Sequence, residues 1–282
     1  MENMMCEMSF QEKVQAALDR MGAGVFDYDR SVEEQYKAKY QAVKNHAEER
    51  ELLHVLLALP LVRGIMSQTM DTVKSPADKN RYLAYFQHCL SVAQMLIDLN
   101  FNLTKQEEDI ALAAAICHIL PENETSVNFD NLEDKLTGEY GFDENVAKIV
   151  RLITRANGMS EVETRVFYQN IQQNKLALVL RLADRGNLVE RLYGISSWTA
   201  HEYIYETRTY FFPMCIYAKE HYPEISGQIG VLMEKMRCHI EVSEILLSRY
   251  ETREQQLSQE ILFLKEENSR IRGIIKKLQA QE

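Results

Sequence analysis

The sequence predicts an all-α fold, a helical bundle with a C-terminal coiled-coil helix, and two observations lead to the helical assignment. Glycine and proline, which interrupt helices, number only 11 and 5 among the 282 residues. Strand-like alternation of β-branched residues is nearly absent, whereas apolar residues recur at helical spacing along most of the chain. Because 46% of the residues are hydrophobic, the chain can bury a sizeable core and is not a disordered protein.

The first hundred residues contain three predicted helical segments. The pattern predicts a short amphipathic helix over 9–22. A second helix begins at Ser31, where Glu34 completes a capping box. Pro60 is expected to kink or break that helix, because proline lacks the N–H that the helix interior needs. The next helix runs from about 79 to 100.

In the middle of the chain, the sequence predicts a central helix that is followed by further helices. Thr104 caps the central helix, with Glu107 at its third position. This helix is apolar on nearly all sides and is therefore expected to lie at the centre of the bundle until Pro121 ends it. A polar connection with one short helix follows over 122–142, and further helices are predicted over 143–157, 161–173, 174–193, 198–222 and from 224 onward.

The C-terminal segment has a heptad pattern. Its a and d positions are occupied by Leu257, Ile261, Leu264, Asn268, Ile271, Ile275 and Leu278. Glutamates at g face basic residues at e, as in a parallel pair of helices, and the asparagine at a is typical of a two-stranded register. Leu262, Phe263 and Ile274 widen the apolar stripe, so a terminal helix folded back on the main domain is the alternative.

These patterns divide the chain in two. We expect a helical domain over 1–240, which includes the helices of 1–78, and a coiled coil over 241–282. The coiled coil predicts a homodimer that forms through 251–282.

Composition excludes several classes of protein. The formal net charge of -10 argues against a general nucleic-acid binder, which would carry a basic face. No apolar run approaches the roughly 18 residues that a membrane span needs. The N-terminus carries Glu2 and Glu7 and no apolar core of a secretion signal. The five cysteines form no CxxC pair, which favours reduced thiols and a cytoplasmic location.

Three residues are candidates for metal ligation. His88 begins an apolar helical face, His118 ends the most apolar helix, and Asp184 directly follows a helical apolar run. Burying a carboxylate there is costly unless it has a partner. Two imidazoles and a carboxylate from three core helices suit a divalent metal, whereas mutual hydrogen bonding is the alternative. The other five histidines are expected to be surface or packed residues.

The order of these residues resembles a known family. The motifs that carry the resemblance span roughly 80–222 and read Tyr85-Phe86-Gln87-His88 with Val92-Ala93, Ala113-Ala114-Ala115-Ile116-Cys117-His118, Tyr140-Gly141 with Val146-Ala147, Leu182-Ala183-Asp184-Arg185, and Glu206-Thr207 with Phe212-Pro213. In this order they resemble the HD-domain metal-dependent phosphohydrolases, and in particular the (p)ppGpp hydrolase domains of the RelA/SpoT enzymes. The resemblance implies that the all-α fold is an HD-domain-like helical bundle.

The resemblance implies a metal site and a ligand class. It implies Mn²⁺ held by His88, His118 and Asp184, with a guanine nucleotide or alarmone as the ligand. The family's His-Asp dyad is degenerate here, because Ile119 stands at the aspartate position and has no lone pair to offer a metal.

The resemblance also implies four further site residues. The pair that organises the nucleophilic water in the family falls on Glu122 and Asn123, and Asn123 cannot accept a proton as a carboxylate does. Arg185 and Asn187 are the candidates for nucleotide binding, although the family's asparagine position falls on Leu188 and Asn187 is adjacent to it.

Two functions therefore remain open. One is a catalytically impaired HD-like domain that binds a nucleotide or a protein and signals through its coiled coil. The other is an active Mn²⁺-dependent nucleotide pyrophosphohydrolase with an altered metal site. Residues 105–145 carry 11 acidic against 2 basic side chains, and this charge is expected to surround His118 and to favour a cation there.

Overall fold

The computed structural model describes residues 32–72, 76–122, 127–156, 158–192 and 195–279. The helix predicted over 9–22 and the cap at Ser31 lie outside the described residues. The structure is about 85% helical and the described residues contain no β-strand, which confirms the all-α prediction.

Ten α-helices are present in the described part of the chain. They are α1 (Val32–Arg50), α2 (Leu53–Thr72), α3 (Pro76–Leu99), α4 (Lys105–Cys117), α5 (Glu144–Ile153), α6 (Glu161–Gln172), α7 (Lys175–Val189), α8 (Ser197–Glu206), α9 (Phe212–His221) and α10 (Ser226–Gln279). A π-helical turn at Thr207–Phe211 joins α8 to α9, so 197–221 is one helical stretch, as predicted. Two 3₁₀ turns (Leu120–Glu122 and Pro223–Ile225) and a π-helical segment (Asp134–Glu139) complete the helical structure.

The break between α1 and α2 lies at Glu51, not at Pro60. Glu51 adopts a left-handed conformation with φ 54°. The amide of Leu52 then donates to the carbonyl oxygen of Ala47 at 2.8 Å, as at a helix C-terminus closed by a left-handed residue. Pro60 lies inside α2, so the prediction that the helix breaks there was wrong, whereas the alternative of a kink stays a prediction.

Helix α4 is the central helix of the bundle, as predicted. The side chain of Thr104 accepts a hydrogen bond from the amide of Glu107, and Glu107 bonds back to the amide of Thr104, which confirms the capping box. Every residue from Ile110 to Cys117 is buried, and α4 packs against α2, α3, α5 and α7.

Helix α7 passes close to its neighbours at Gly186. A Cβ atom at this position would lie 2.8 Å from Leu232 of α10 and 3.0 Å from Met95 of α3. A side chain at this position would therefore require Leu232 and Met95 to move aside.

Helix α10 has a buried first part and an exposed second part. Its residues Ile229 to Leu247 contribute to the core of the bundle. Beyond them, the large apolar side chains from Leu257 to Leu264 are 42–61% exposed. The predicted boundary at 240/241 falls within this single helix. Among the described helices, none combines the length and apolarity that crossing a membrane requires.

Candidate metal centre

Three helices bring the predicted ligand residues together. His88 lies in α3, His118 is the C-cap residue of α4, and Asp184 lies in α7. One ligand atom from each residue lies within 4.8 Å of the other two. His118 and Asp184 are 2% and 3% exposed, so the centre is inside the bundle. The two imidazole rings meet edge to face, with centroids 5.5 Å apart.

The backbone of α4 holds His118 in one tautomer. The Nδ1 atom lies 2.7 Å from the carbonyl oxygen of Ala115 and can only donate to it. In the neutral ring, Nε2 is then the atom with the free lone pair. Burial lowers the pKa of His118 to about 4, although the negative charge of Asp184 raises the pKa in part. The ring is therefore neutral at pH 7. His118 therefore presents the form of imidazole that binds metals.

Both ring nitrogens of His88 have an oxygen neighbour. Nδ1 lies 2.8 Å from Oδ1 of Asn187, and Nε2 lies 2.9 Å from Oδ1 of Asp184. When Nδ1 donates to Asn187, the Nε2 atom of a neutral ring and the Asp184 oxygen are two acceptors that face each other. Either a proton or a metal cation between them relieves this repulsion. Asn187 is thus the residue that orients His88.

Asp184 is ionised inside the protein. Burial by itself raises the pKa of the carboxyl group, but the guanidinium of Arg181 and the ring of His88 outweigh burial and hold that pKa well below its usual range. Nη1 of Arg181 donates to Oδ2 of Asp184 at 2.6 Å. Oδ2 is therefore engaged by Arg181, whereas Oδ1 faces His88 and is the oxygen that can bind a metal.

The donor set suits a first-row divalent metal. Two imidazole nitrogens and one carboxylate oxygen are ligands that zinc, iron and manganese accept. Two ligand atoms about 2.1 Å from a metal and at right angles to each other lie about 3 Å apart, and the Nε2–Oδ1 distance between His88 and Asp184 is 2.9 Å. Ile119 is 5% exposed and packs in the hydrophobic core, so the position next to His118 supplies no ligand.

The remaining predicted site residues have different surroundings. Glu122 is the last residue of the 3₁₀ turn that follows His118. Asn123 lies outside the described residues. Asn187 contacts His88, as described above, and Arg185 is buried and directed towards Glu206. Their predicted catalytic and nucleotide-binding roles stay predictions.

Arg185 belongs to a second buried polar cluster. Glu206 accepts hydrogen bonds from Nη2 of Arg185, from Arg155 at 2.7 Å and from the hydroxyl of Tyr168 at 3.0 Å. The guanidinium of Arg185 also lies over the ring of Phe211, 4.2 Å from the centroid. Burial raises the pKa of Glu206, but Arg185 and the other donors outweigh it and the net pKa is lowered.

Sequence reasoning missed Arg181 as part of the centre. The signal was present, because Arg181 precedes Asp184 by three residues and such pairs share one face of a helix. In the sequence, Glu206 stands out only as part of the motif Glu206-Thr207. Its pairing with Arg185 joins two helices, and no local spacing indicates it.

The acidic charge of α4 is not arranged as the sequence suggested. Glu107, Glu108 and Asp109 lie in the first turns of α4, roughly 15 Å along the helix from His118. The prediction that acidic side chains surround His118 was therefore wrong for these three carboxylates. Each pairs with a side chain of another helix: Glu107 with Lys175 at 2.6 Å, Glu108 with Arg50 at 2.7 Å and Asp109 with His54 at 2.8 Å.

Comparisons with family models, with curated proteins and with solved structures gave no match to this chain. The geometry of the centre is therefore the observation on which a functional proposal has to rest.

Proposed function

We propose that the chain binds a divalent metal ion through His88, His118 and Asp184 and belongs to the HD-like proteins whose catalysis is impaired. The observation that carries the proposal is the convergence of three ligand atoms within 4.8 Å. A second contact supports it, because the Ala115 carbonyl leaves Nε2 of a neutral His118 free for a metal.

The impaired form is favoured by the groups that surround the ligands. Ile119 replaces a carboxylate ligand with a buried alkyl group. Arg181 adds a positive charge 2.6 Å from the only carboxylate of the cluster, which opposes a divalent cation. Fewer ligands and less negative charge both lower metal affinity. In this role the domain binds a guanine nucleotide or alarmone and transmits the bound state, with Arg185 and Asn187 as the nucleotide-binding residues that the resemblance implies.

An active Mn²⁺-dependent nucleotide pyrophosphohydrolase is the second candidate. Its support is that three protein ligands leave coordination positions for water and substrate, as catalytic metal sites do. A bound divalent ion would lower the pKa of a coordinated water and act as a Lewis acid. His88, His118 and Asp184 would hold it, Asn187 would orient His88, and Glu122 is the residue proposed to accept a proton.

The first experiment measures metal content. The full chain, purified from medium that contains manganese, iron and zinc, is expected to carry a substantial fraction of one equivalent of a divalent metal, whereas the His118→Ala variant is expected to carry little. His221 is exposed on α9, so His221→Ala is the matched control and should keep the metal content of the parent protein. Less than roughly a tenth of an equivalent in the parent protein would contradict metal binding.

The second experiment separates the two candidates. Metal-loaded protein is incubated with guanine nucleotides that carry a pyrophosphate, and both binding and phosphate or pyrophosphate release are measured. Binding without turnover supports the impaired form. Turnover that His118→Ala abolishes and His221→Ala preserves supports the hydrolase.

We further propose that the protein is a cytoplasmic homodimer. The exposed apolar side chains from Leu257 to Leu264 offer a surface for a second copy of α10. The four described cysteines are buried and form no disulfide, which accords with a reducing compartment.

A further inference from the structure

A second cleft lies between the start of α6, the end of α8 and the π-helical turn that follows α8. Its volume is about 440 Å³, in the range of pockets that hold a small ligand or a few side chains. Its lining combines three carboxylates with three aromatic rings: Glu161, Glu202, Glu206, Tyr203, Tyr205 and Tyr210.

One carboxylate of this cleft is open to a cation. Of the three carboxylates in the lining, Glu161 pairs with Arg165 at 3.4 Å and Glu206 pairs with both Arg155 and Arg185, so the charge of these two is already compensated. Glu206 is saturated by its three donors, and Arg155 is engaged with Glu206 at 2.7 Å and with Thr164 at 3.1 Å. Glu202 is exposed and forms no ion pair within the described part of the chain. Glu202 is thus available to a positively charged partner, and tyrosine faces attract the same kind of partner.

An exposed tryptophan extends the cleft along α8. Trp198 precedes Glu202 by four residues and Tyr205 by seven, so the three side chains share one side of the helix. Trp198 is 79% exposed and Tyr205 is 65% exposed. Large exposed aromatic side chains beside charged groups are typical of protein-binding surfaces. Because Trp198 lies about 6 Å from Glu202 along α8, this apolar surface continues beyond the cleft itself.

We propose that the cleft and Trp198 form a docking site for a basic, arginine-containing segment of a partner protein. A guanidinium group enters the cleft, pairs with Glu202 and stacks on the tyrosine faces, since arginine is suited to both contacts. The neighbouring residues of the segment pack on Trp198. The site does not involve the metal centre, so it stands or falls independently of the proposed function.

Trp198 also provides the measurement, because it is the only tryptophan in the chain. The metal-free full chain in EDTA is titrated with a hexa-arginine peptide, followed by tryptophan fluorescence and by calorimetry. We expect saturable binding with a change in the Trp198 emission. Glu202→Gln and Tyr205→Ala are each expected to weaken binding about fivefold.

The control separates docking from general attraction to an acidic protein. Glu220 is exposed at the end of α9 and is not part of the cleft, so Glu220→Gln changes the net charge equally and should leave the affinity unchanged. Equal weakening by Glu220→Gln and Glu202→Gln would overturn the proposal, as would an absence of saturable binding or equal binding of hexaglutamate. Binding of N-acetylarginine amide as tight as that of the peptide would also overturn it, because the site would then be one for a free small molecule.

Discussion

Oδ1 of Asp184 lies 2.9 Å from Nε2 of His88, while Oδ2 of the same carboxylate accepts a hydrogen bond from Arg181 at 2.6 Å. The two oxygens thus serve opposite purposes. One faces the space in which a metal would be shared with both histidines, and the other is neutralised by a buried guanidinium. The balance between these two contacts sets how strongly the centre can attract a cation, and it leads to the first prediction.

Replacement of Arg181 by methionine is expected to strengthen metal binding about tenfold, because it removes a positive charge beside the carboxylate ligand and keeps the apolar stem. The same change should lower the free energy of unfolding of the metal-free protein by about 3 kcal/mol, since Asp184 loses its strongest partner. Metal affinity is measured by competition with a metal indicator, and the free energy of unfolding is measured by urea denaturation. Arg208 forms an exposed pair with Glu244, so Arg208→Met is the control and should change neither quantity appreciably. Weaker metal binding in Arg181→Met would show that Arg181 supports the centre instead of opposing it.

The substitution Ile119→Asp tests the missing ligand. It places a carboxylate next to His118 at a position that is 5% exposed. We expect at least a tenfold gain in metal affinity and a loss of about 3 kcal/mol of stability in the metal-free protein, because the new charge is buried. Ile119→Asn is the matched control, with nearly the same shape and no charge. If the two variants bind metal equally, residue 119 does not reach the centre and the site is not a simple damaged HD site.

The neutral state of His118 predicts how stability depends on pH in the absence of metal. Its pKa is about 4 in the folded protein and 6.5 in the unfolded chain. As the pH falls from 6.5 towards 4, the unfolded chain therefore binds a proton that the folded protein does not. The free energy of unfolding should fall by about 3 kcal/mol across this window and be insensitive to His118 above it. Burial lowers the pKa of His239 as well, which adds to the slope in the same direction.

Urea denaturation at several pH values in EDTA measures this slope. In His118→Gln, whose amide can still donate to the Ala115 carbonyl, the slope between pH 6.5 and 4 should become clearly shallower. In His221→Gln, which changes an exposed histidine, it should stay as in the parent protein. An unchanged slope in His118→Gln would mean that His118 has the same pKa in the folded and unfolded protein, which would contradict a folded-state pKa lowered by burial.

Glu206 is predicted to be essential for stability and not for metal binding. Glu206→Gln would leave the guanidinium of Arg185, whose side chain is 3% exposed, without its carboxylate. Two further atoms of this guanidinium, Nε and Nη1, are already buried without a hydrogen-bond partner in the described structure. We expect a loss of about 3–5 kcal/mol in the free energy of unfolding, because a buried charge is left uncompensated.

Glu220→Gln, which alters an exposed carboxylate, is the control. In the same urea titration, its free energy of unfolding should differ from that of the parent protein by no more than about 0.5 kcal/mol. The metal content of Glu206→Gln, measured on folded protein, should match that of the parent. A small loss of stability would show that water or a rearranged side chain takes over the role of Glu206.

The helices could be predicted from sequence because their signals are local. The capping box of Thr104 and Glu107 and the apolar surface of α4 were sufficient to place the central helix. Pro60 misled because a proline is tolerated where tertiary packing supports a helix, whereas the left-handed conformation of Glu51 carries no glycine signal.

The ligand residues could be proposed from their types and order, but their environment could not. Side-chain pairs between helices depend on the rotation of each helix about its axis, which sequence spacing does not determine. Arg185 and Glu206 are 21 residues apart, and His54 and Asp109 are 55 apart. The acidic cluster of α4 shows the consequence, since its carboxylates neutralise neighbouring helices and lie far from His118.

Self-association through the outer part of α10 is the last prediction. In the heptad register, Leu264 occupies a d position and Phe263 does not, yet they are 52% and 61% exposed in the single chain. Leu264→Lys should therefore convert a dimer into a monomer, because a charge in the seam of a coiled coil costs several kcal/mol. Phe263→Lys, an equal change of charge on the neighbouring residue, should leave the dimer intact. Light scattering on the full chain measures both masses. Dissociation by both substitutions would indicate a wider interface, as in a higher oligomer, and a monomeric parent protein would refute self-association through this segment.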